Sequence, residues 1–136
     1  MRWHPYATAL RERVSASGVD HGIEFSIKIT SGELWAQRFL LLMHKDVLQP
    51  NPDQRVRSIL GSLPRPFAVD LFLDAHLDDA RYVHLGYEQA AHKPVCKLYC
   101  EFPGGDTSAT NTSDWLVHKA IKWNLDQPDE VVITDY

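Results

Sequence analysis

Imidazoles and carboxylates are the side chains of this protein best suited to proton transfer or metal ligation near neutral pH. Two histidines and one glutamate, His76, His84 and Glu101, fall in segments with strand-like alternation. Phe67–Leu77 sets Val69, Leu71, Leu73, Ala75 and Leu77 against Asp70, Phe72, Asp74 and His76. Tyr82–Gln89 sets Val83, Leu85 and Tyr87 against Tyr82, His84, Gly86 and Glu88. Val95–Phe102 sets Cys96, Leu98, Cys100 and Phe102 against Lys97, Tyr99 and Glu101. The apolar sets must lie together, because a one-residue slip would turn them all to water. With a three-residue turn at Asp79–Arg81 and a four-residue turn at Ala91–Pro94, His76 falls opposite His84, and His84 opposite Glu101. The row depends on a bulged first turn.

Such a row has three readings. Two imidazoles and a carboxylate resemble a two-His, one-carboxylate metal site, although no metal is favoured. They also form an acid/base pair whose carboxylate sets the imidazole tautomer. The third reading is the solvated face of a half-buried sheet. Phe72, Tyr82 and Tyr99 interleave with the charges, which favours a face that meets a ligand or a partner, although cross-strand packing uses aromatics too. The candidate ligand-contacting residues are Asp74, Tyr82, Lys97 and Tyr99. His118 joins them, with Lys122, if Trp115, Val117, Ile121 and Trp123 point into the core.

No cofactor is identified. Pro103-Gly104-Gly105-Asp106 lacks the Gly-x4-Gly-Lys pattern of a phosphate loop and reads as turn chemistry, or as the start of a mobile lid. No serine stands in a nucleophile elbow. Cys96 and Cys100 would lie about 13 Å apart along one strand at ~3.3 Å per residue, too far for a disulfide. Both read as buried, reduced thiols, in keeping with a cytoplasmic location.

The positioning elements follow from periodicity and punctuation. Pro5 opens a helix to about Ser17, with Tyr6, Leu10 and Val14 at spacing four and Gly18 closing it. Ile23–Ile29 alternates strictly and reads as a half-buried strand with Ile23, Phe25, Ile27 and Ile29 facing inward. Leu34–Leu48 reads as a helix whose start could be strand, and His44 would lie near its C-terminus. Asn51 and Pro52 begin a short helix that buries Val56, Ile59 and Leu60. Five strands follow, Phe67–Leu77, Tyr82–Gln89, Val95–Phe102, Trp115–Trp123 and Glu130–Tyr136; Ser113 could instead cap a helical start to the fourth. Short connections favour antiparallel pairing. The expected fold is α+β, a mainly antiparallel sheet of about six strands with the N-terminal helices on its apolar face.

The 136 residues suit one domain, and 44% apolar with 24% charged residues is ordinary globular composition. With 14 basic against 18 acidic residues there is no phosphate-binding stripe, which argues against nucleic acid. The first residues lack the apolar run of a secretory signal, and Phe39–Met43 is too short to span a bilayer. The last strand reaches the final residue, which suits either a compact terminus or part of a larger polypeptide or complex.

Tyr82-Val83-His84-Leu85-Gly86-Tyr87-Glu88 followed by Val95-Cys96-Lys97-Leu98-Tyr99 resembles the paired strands of ABBA-fold aromatic prenyltransferases. The resemblance covers about 20 residues and one Lys-x-Tyr pair. It implies an antiparallel barrel in which Lys97 and Tyr99 contact the diphosphate of an isoprenoid donor, although six strands fall short of the roughly ten such a barrel needs. The expected function is a binding or accessory domain whose sheet face contacts a small molecule or a partner protein, with homo- or hetero-oligomers allowed. The alternative is a small enzyme using His76, His84 and Glu101, or a partial prenyltransferase-like barrel.

Overall fold

Pro5 sits in the first turn of α1 (Pro5–Ala16), where its missing N–H has no intrahelical acceptor to lose. His4 caps that turn, its Nδ1 accepting from the Tyr6 N–H at 3.2 Å. Ala7, Leu10 and Val14 make the buried stripe. Our computed structural model describes residues 2–35, 37–61, 63–103 and 117–136. Helix α2 (Pro52–Leu60) also opens on proline, buries Val56, Ile59 and Leu60, and stops at Gly61 with φ of +49°. Asn51 precedes it but makes no side-chain cap bond.

The strands, in chain order, are β1 (Gly22–Phe25), β2 (Lys28–Thr30), β3 (Glu33–Trp35), β4 (Arg38–His44), β5 (Tyr82–Ala90), β6 (Lys93–Glu101), β7 (His118–Asn124) and β8 (Val131–Asp135). Six form one antiparallel sheet in the order β1-β4-β5-β6-β7-β8, and β2 pairs with β3 in a separate hairpin. The fold is mixed α+β, as the sequence leads one to expect. Phe39, Leu41 and Met43, then Val83, Leu85 and Tyr87, then Cys96, Leu98 and Cys100, then Ile121 and Trp123 join the helices in one core. Full burial of each such side chain contributes roughly 1.5–3 kcal/mol. Trp123 also donates from Nε1 to the Pro64 carbonyl at 2.8 Å, tying β7 to the segment before the next helix. Among the described residues, no helix is long and apolar enough to cross a membrane.

Three elements differ from the sequence reading. Ile23–Ile29, read as one strand with Ile23, Phe25, Ile27 and Ile29 inward, is split between β1 and β2, and all four side chains are exposed, because β1 is the edge of the main sheet and β2 belongs to the separate hairpin. Phe67–Leu77, read as a strand, is helix α3 (Phe67–His76). Val69, Phe72, Leu73 and Leu77 are buried while Phe67 and Leu71 lie exposed, a spacing of three and four rather than two. Arg57 of α2 bridges Asp70 and Asp74 on one side of this helix, the contact to Asp74 being 2.9 Å. Leu34–Leu48, read as a helix, is β3, then β4, then a 3-10 turn at Lys45–Leu48. Burial alternates along β4, with Phe39, Leu41 and Met43 inward. Strand β4 takes the place in the sheet that Phe67–Leu77 was expected to occupy.

The β5–β6 turn is also tighter than expected. Ala91 and His92 both have positive φ, +43° and +71°, as a two-residue primed hairpin turn requires. His84 therefore pairs with Tyr99, and Tyr82 with Glu101. The register moves by two residues, so every side chain keeps its expected face. The Trp115 start of the fourth expected strand, the Ser113 cap and the Gly104–Asp114 loop lie outside the described residues.

Candidate functional site

The core takes Val83, Leu85 and Tyr87 of β5 on one side, so Tyr82, His84, Gly86 and Glu88 must project from the other. The same parity sends Lys97, Tyr99 and Glu101 of β6 and His118, Ala120 and Lys122 of β7 to that reverse face. Leu40 and Leu42 of β4 join them, Leu42 being paired with His84. Beside β7, Tyr136 and His118 exchange backbone bonds, the Tyr136 N–H donating to the His118 carbonyl at 2.8 Å.

A hollow of about 480 Å³ opens on this face, lined by Leu40, Leu42, His84, Tyr99, Glu101, His118 and Tyr136. Glu101 lies between two imidazoles: Oε2 is 3.0 Å from His84 Nε2 and 3.4 Å from His118 Nε2. An ionised carboxylate only accepts, so each ring must carry its hydrogen on Nε2 to engage it. Burial acts to raise the pKa of Glu101. The contacts from His84 and then His118 outweigh it, and the group is held below the ordinary carboxylate range. The two rings are not equivalent. The His84 side chain is 8% exposed and its Nδ1 is buried with no partner among the described residues, whereas the His118 side chain is 37% exposed. Tyr82 stacks on His84, ring centroids 6.0 Å apart, and meets His44 edge-on at 4.9 Å. Tyr99 and Tyr136 approach to 6.4 Å between ring centroids. Burial, then Tyr136 and Glu88, raise the Tyr99 pKa, so its phenol keeps its proton.

Compared with protein-family models, with curated proteins and with solved structures, the chain matches none.

The candidate residues are thus distributed unequally. His84, Glu101, Tyr99 and His118 meet in the hollow, with Tyr82 stacked at its side. His76 does not. It ends α3 on the helix-covered side of the sheet, edge-on to Phe72 at 4.9 Å and to Phe102 at 6.1 Å. Burial and then Lys119 lower its pKa. Asp74 is also on α3, held by Arg57. Both residues were assigned to the face by a strand that is in fact a helix. His118 supplies the second imidazole in place of His76.

Lys97 is engaged next door. Its Nζ lies 2.8 Å from Glu88 Oε2, and Arg38 Nε lies 2.8 Å from the other carboxylate oxygen. Glu88 and Lys97 are 6% and 7% exposed, so breaking this pair would strand a buried charge. Burial pushes Glu88 up, but Lys97 and then Arg38 hold it below the usual range. A smaller hollow of about 160 Å³ lies over Arg38, Leu40, Lys97 and Tyr99 and shares Leu40 and Tyr99 with the larger one. Among the described residues, no group of three His, Cys, Asp or Glu side chains is arranged to hold a metal ion.

Sequence reasoning missed Leu40, Leu42 and Tyr136. The signal for the leucines was present: Phe39-Leu40-Leu41-Leu42-Met43 is a short apolar run of the kind a strand buried on both faces carries.

Proposed function

We propose that the reverse face of the sheet binds a small organic molecule in the larger hollow, which makes the protein a binding or accessory domain. The observation that carries this reading is the composition of that hollow. Leu40 and Leu42 offer an aliphatic wall, Tyr99 and Tyr136 offer rings, and the His84–Glu101–His118 cluster offers convergent polar groups. Ligand sites combine apolar lining with a few placed polar groups in this way, at volumes of about 300–1,000 Å³. A merely solvated face has no use for the two leucines. The occupant favoured by this lining is an uncharged or weakly polar molecule with a ring and at least one hydrogen-bonding group. Two buried free thiols, Cys96 and Cys100, support residence in a reducing compartment.

The test is ligand-observed and protein-observed NMR with 2-naphthol as probe. Binding should shift the Leu40 and Leu42 methyls and the Tyr99 and Tyr136 rings. A Leu42→Asp variant should weaken binding about tenfold or more, equivalent to about 1.4 kcal/mol. Shifts scattered over other surfaces, or an affinity that ignores Leu42→Asp, would remove the proposal.

A further inference from the structure

The arrangement inside the hollow goes beyond affinity. Among the described residues no partner engages His118 Nδ1, while Glu101 holds the opposite ring nitrogen. A carboxylate that fixes one nitrogen of an imidazole leaves the other as a directed base and stabilises the imidazolium once it forms. Pairing of His118 with Glu101 sets Tyr99, two residues earlier on β6, diagonally across from His118. Diagonal neighbours lie about 7–8 Å apart at Cα, within reach of long side chains. The Tyr99 hydroxyl has no partner among the described residues, and its raised pKa keeps it a donor. His84 holds the inner side of Glu101 at 3.0 Å, so the carboxylate cannot swing away from the sheet without stranding a buried ring.

We infer that the hollow is a proton-transfer site for small enolisable carbonyl compounds, with His118 as the base, Tyr99 as the donor to the carbonyl oxygen, and Glu101 as the positioning residue. The inference rests on the binding reading above. In the forward step the His118 Nδ1 lone pair takes a proton from the carbon next to the carbonyl. The C–H electron pair becomes the new C=C bond, and the carbonyl π pair moves to oxygen, where the Tyr99 hydroxyl donates to it. The imidazolium formed is paired with Glu101. Return of the same proton to the original carbon restores the substrate, and its return to a conjugated carbon gives an isomer. Nothing is oxidised or reduced and no co-reactant is consumed.

The probe is 2-tetralone in deuterium oxide. Deuterium entry at C1 is followed by proton NMR, with occupancy of the hollow read in parallel from the Leu40, Leu42 and Tyr136 signals. The protein should accelerate exchange at least tenfold over the same concentration of free imidazole. His118→Gln should remove about a hundredfold of the protein-dependent rate, and Tyr99→Phe about tenfold, with probe affinity within threefold in both. Glu101→Gln should lower the rate, leave affinity within threefold, and change the His118 nitrogen-15 shifts as its tautomer is released. A residue that only supports the fold would move rate and affinity together and leave that tautomer alone. Probe bound in the hollow without exchange above imidazole overturns proton transfer and leaves the binding site standing. Neither binding nor exchange overturns both.

Discussion

Glu101 shares one carboxylate oxygen between an inner and an outer ring, and the two contacts should differ in worth because their surroundings differ. Glu101→Ala leaves the His84 ring with no hydrogen-bond partner on either nitrogen among the described residues, since Nδ1 already has none there. Unpartnered buried groups cost about 1–3 kcal/mol, and urea unfolding of this variant should show a loss in that range. His118→Ala removes only a half-exposed contact and should cost about 0.5 kcal/mol or less. The reverse order would mean that the outer ring is the structural one. Burial pushes both Cys96 and Cys100 thiols up to about 12, so Ellman's reagent at pH 8 should react with neither in the native protein and with both in guanidinium. At this scale, His84, Tyr99 and Glu101 were legible from alternation alone. A two-residue error in turn length left them on one face, and only an odd error would have scattered them. His76 was not legible, because its place on that face depended on the state of a whole segment.

Helix α3 shows how an element escapes its pattern. Phe67-Ala68-Val69-Asp70-Leu71-Phe72-Leu73 alternates well enough for a strand, yet it also has apolar residues at 69, 72, 73 and 77. The signal that was present is Pro66 ahead of the first turn; Asp70 and Asp74, one turn apart, would repel each other, and Arg57 of α2 bridges them. Leu71 and Leu73 would share a face in a strand, but in α3 one is 53% exposed and the other 1%. Leu73→Ala should therefore cost about 2–5 kcal/mol in chemical denaturation, and Leu71→Ala about 0.5 kcal/mol or less. Equal losses would contradict the helix. Strand β4 was misread for a chemical reason: its reverse face carries Leu40 and Leu42 where a solvated strand would carry polar residues. On β5, Gly86 keeps room beside that wall. An added Cβ would meet Leu40 Cδ1 at 3.2 Å and the Phe39 carbonyl oxygen at 3.3 Å. Gly86→Ala should displace the Leu40 methyls in NMR spectra and destabilise by about 1–3 kcal/mol. An unchanged Leu40 environment would argue against that contact.

For the molecule as a whole, two carboxylates on the reverse face link stability to pH. Glu88 and Glu101 are held below the ordinary value of 4.5 in the folded state. The unfolded chain therefore binds more protons as pH falls through that value, and the stabilisation they contribute is fully present above it. Urea midpoints should slip as pH falls through 6.5, where His76, held below its ordinary value, is protonated first in the unfolded chain, and decline further below about pH 4.5; the Glu88→Gln, Glu101→Gln double variant should show a shallower decline in that lower range than the parent. A parallel decline would place the acid sensitivity elsewhere. Helices α2 and α3 intervene between β4 and β5, which are neighbours in the sheet, and both send their buried residues into the core on one side. That detour separates two inventories of side chains. One maintains the architecture and the other, apart from the buried His84, Glu88 and Lys97 and the paired Glu101, meets the outside, and the two alternate along the same strands. Randomising positions 40, 42, 99 and 136 in a library should accordingly yield mostly folded proteins with altered ligand preference, which makes this sheet a scaffold whose chemistry can drift while its shape is inherited unchanged.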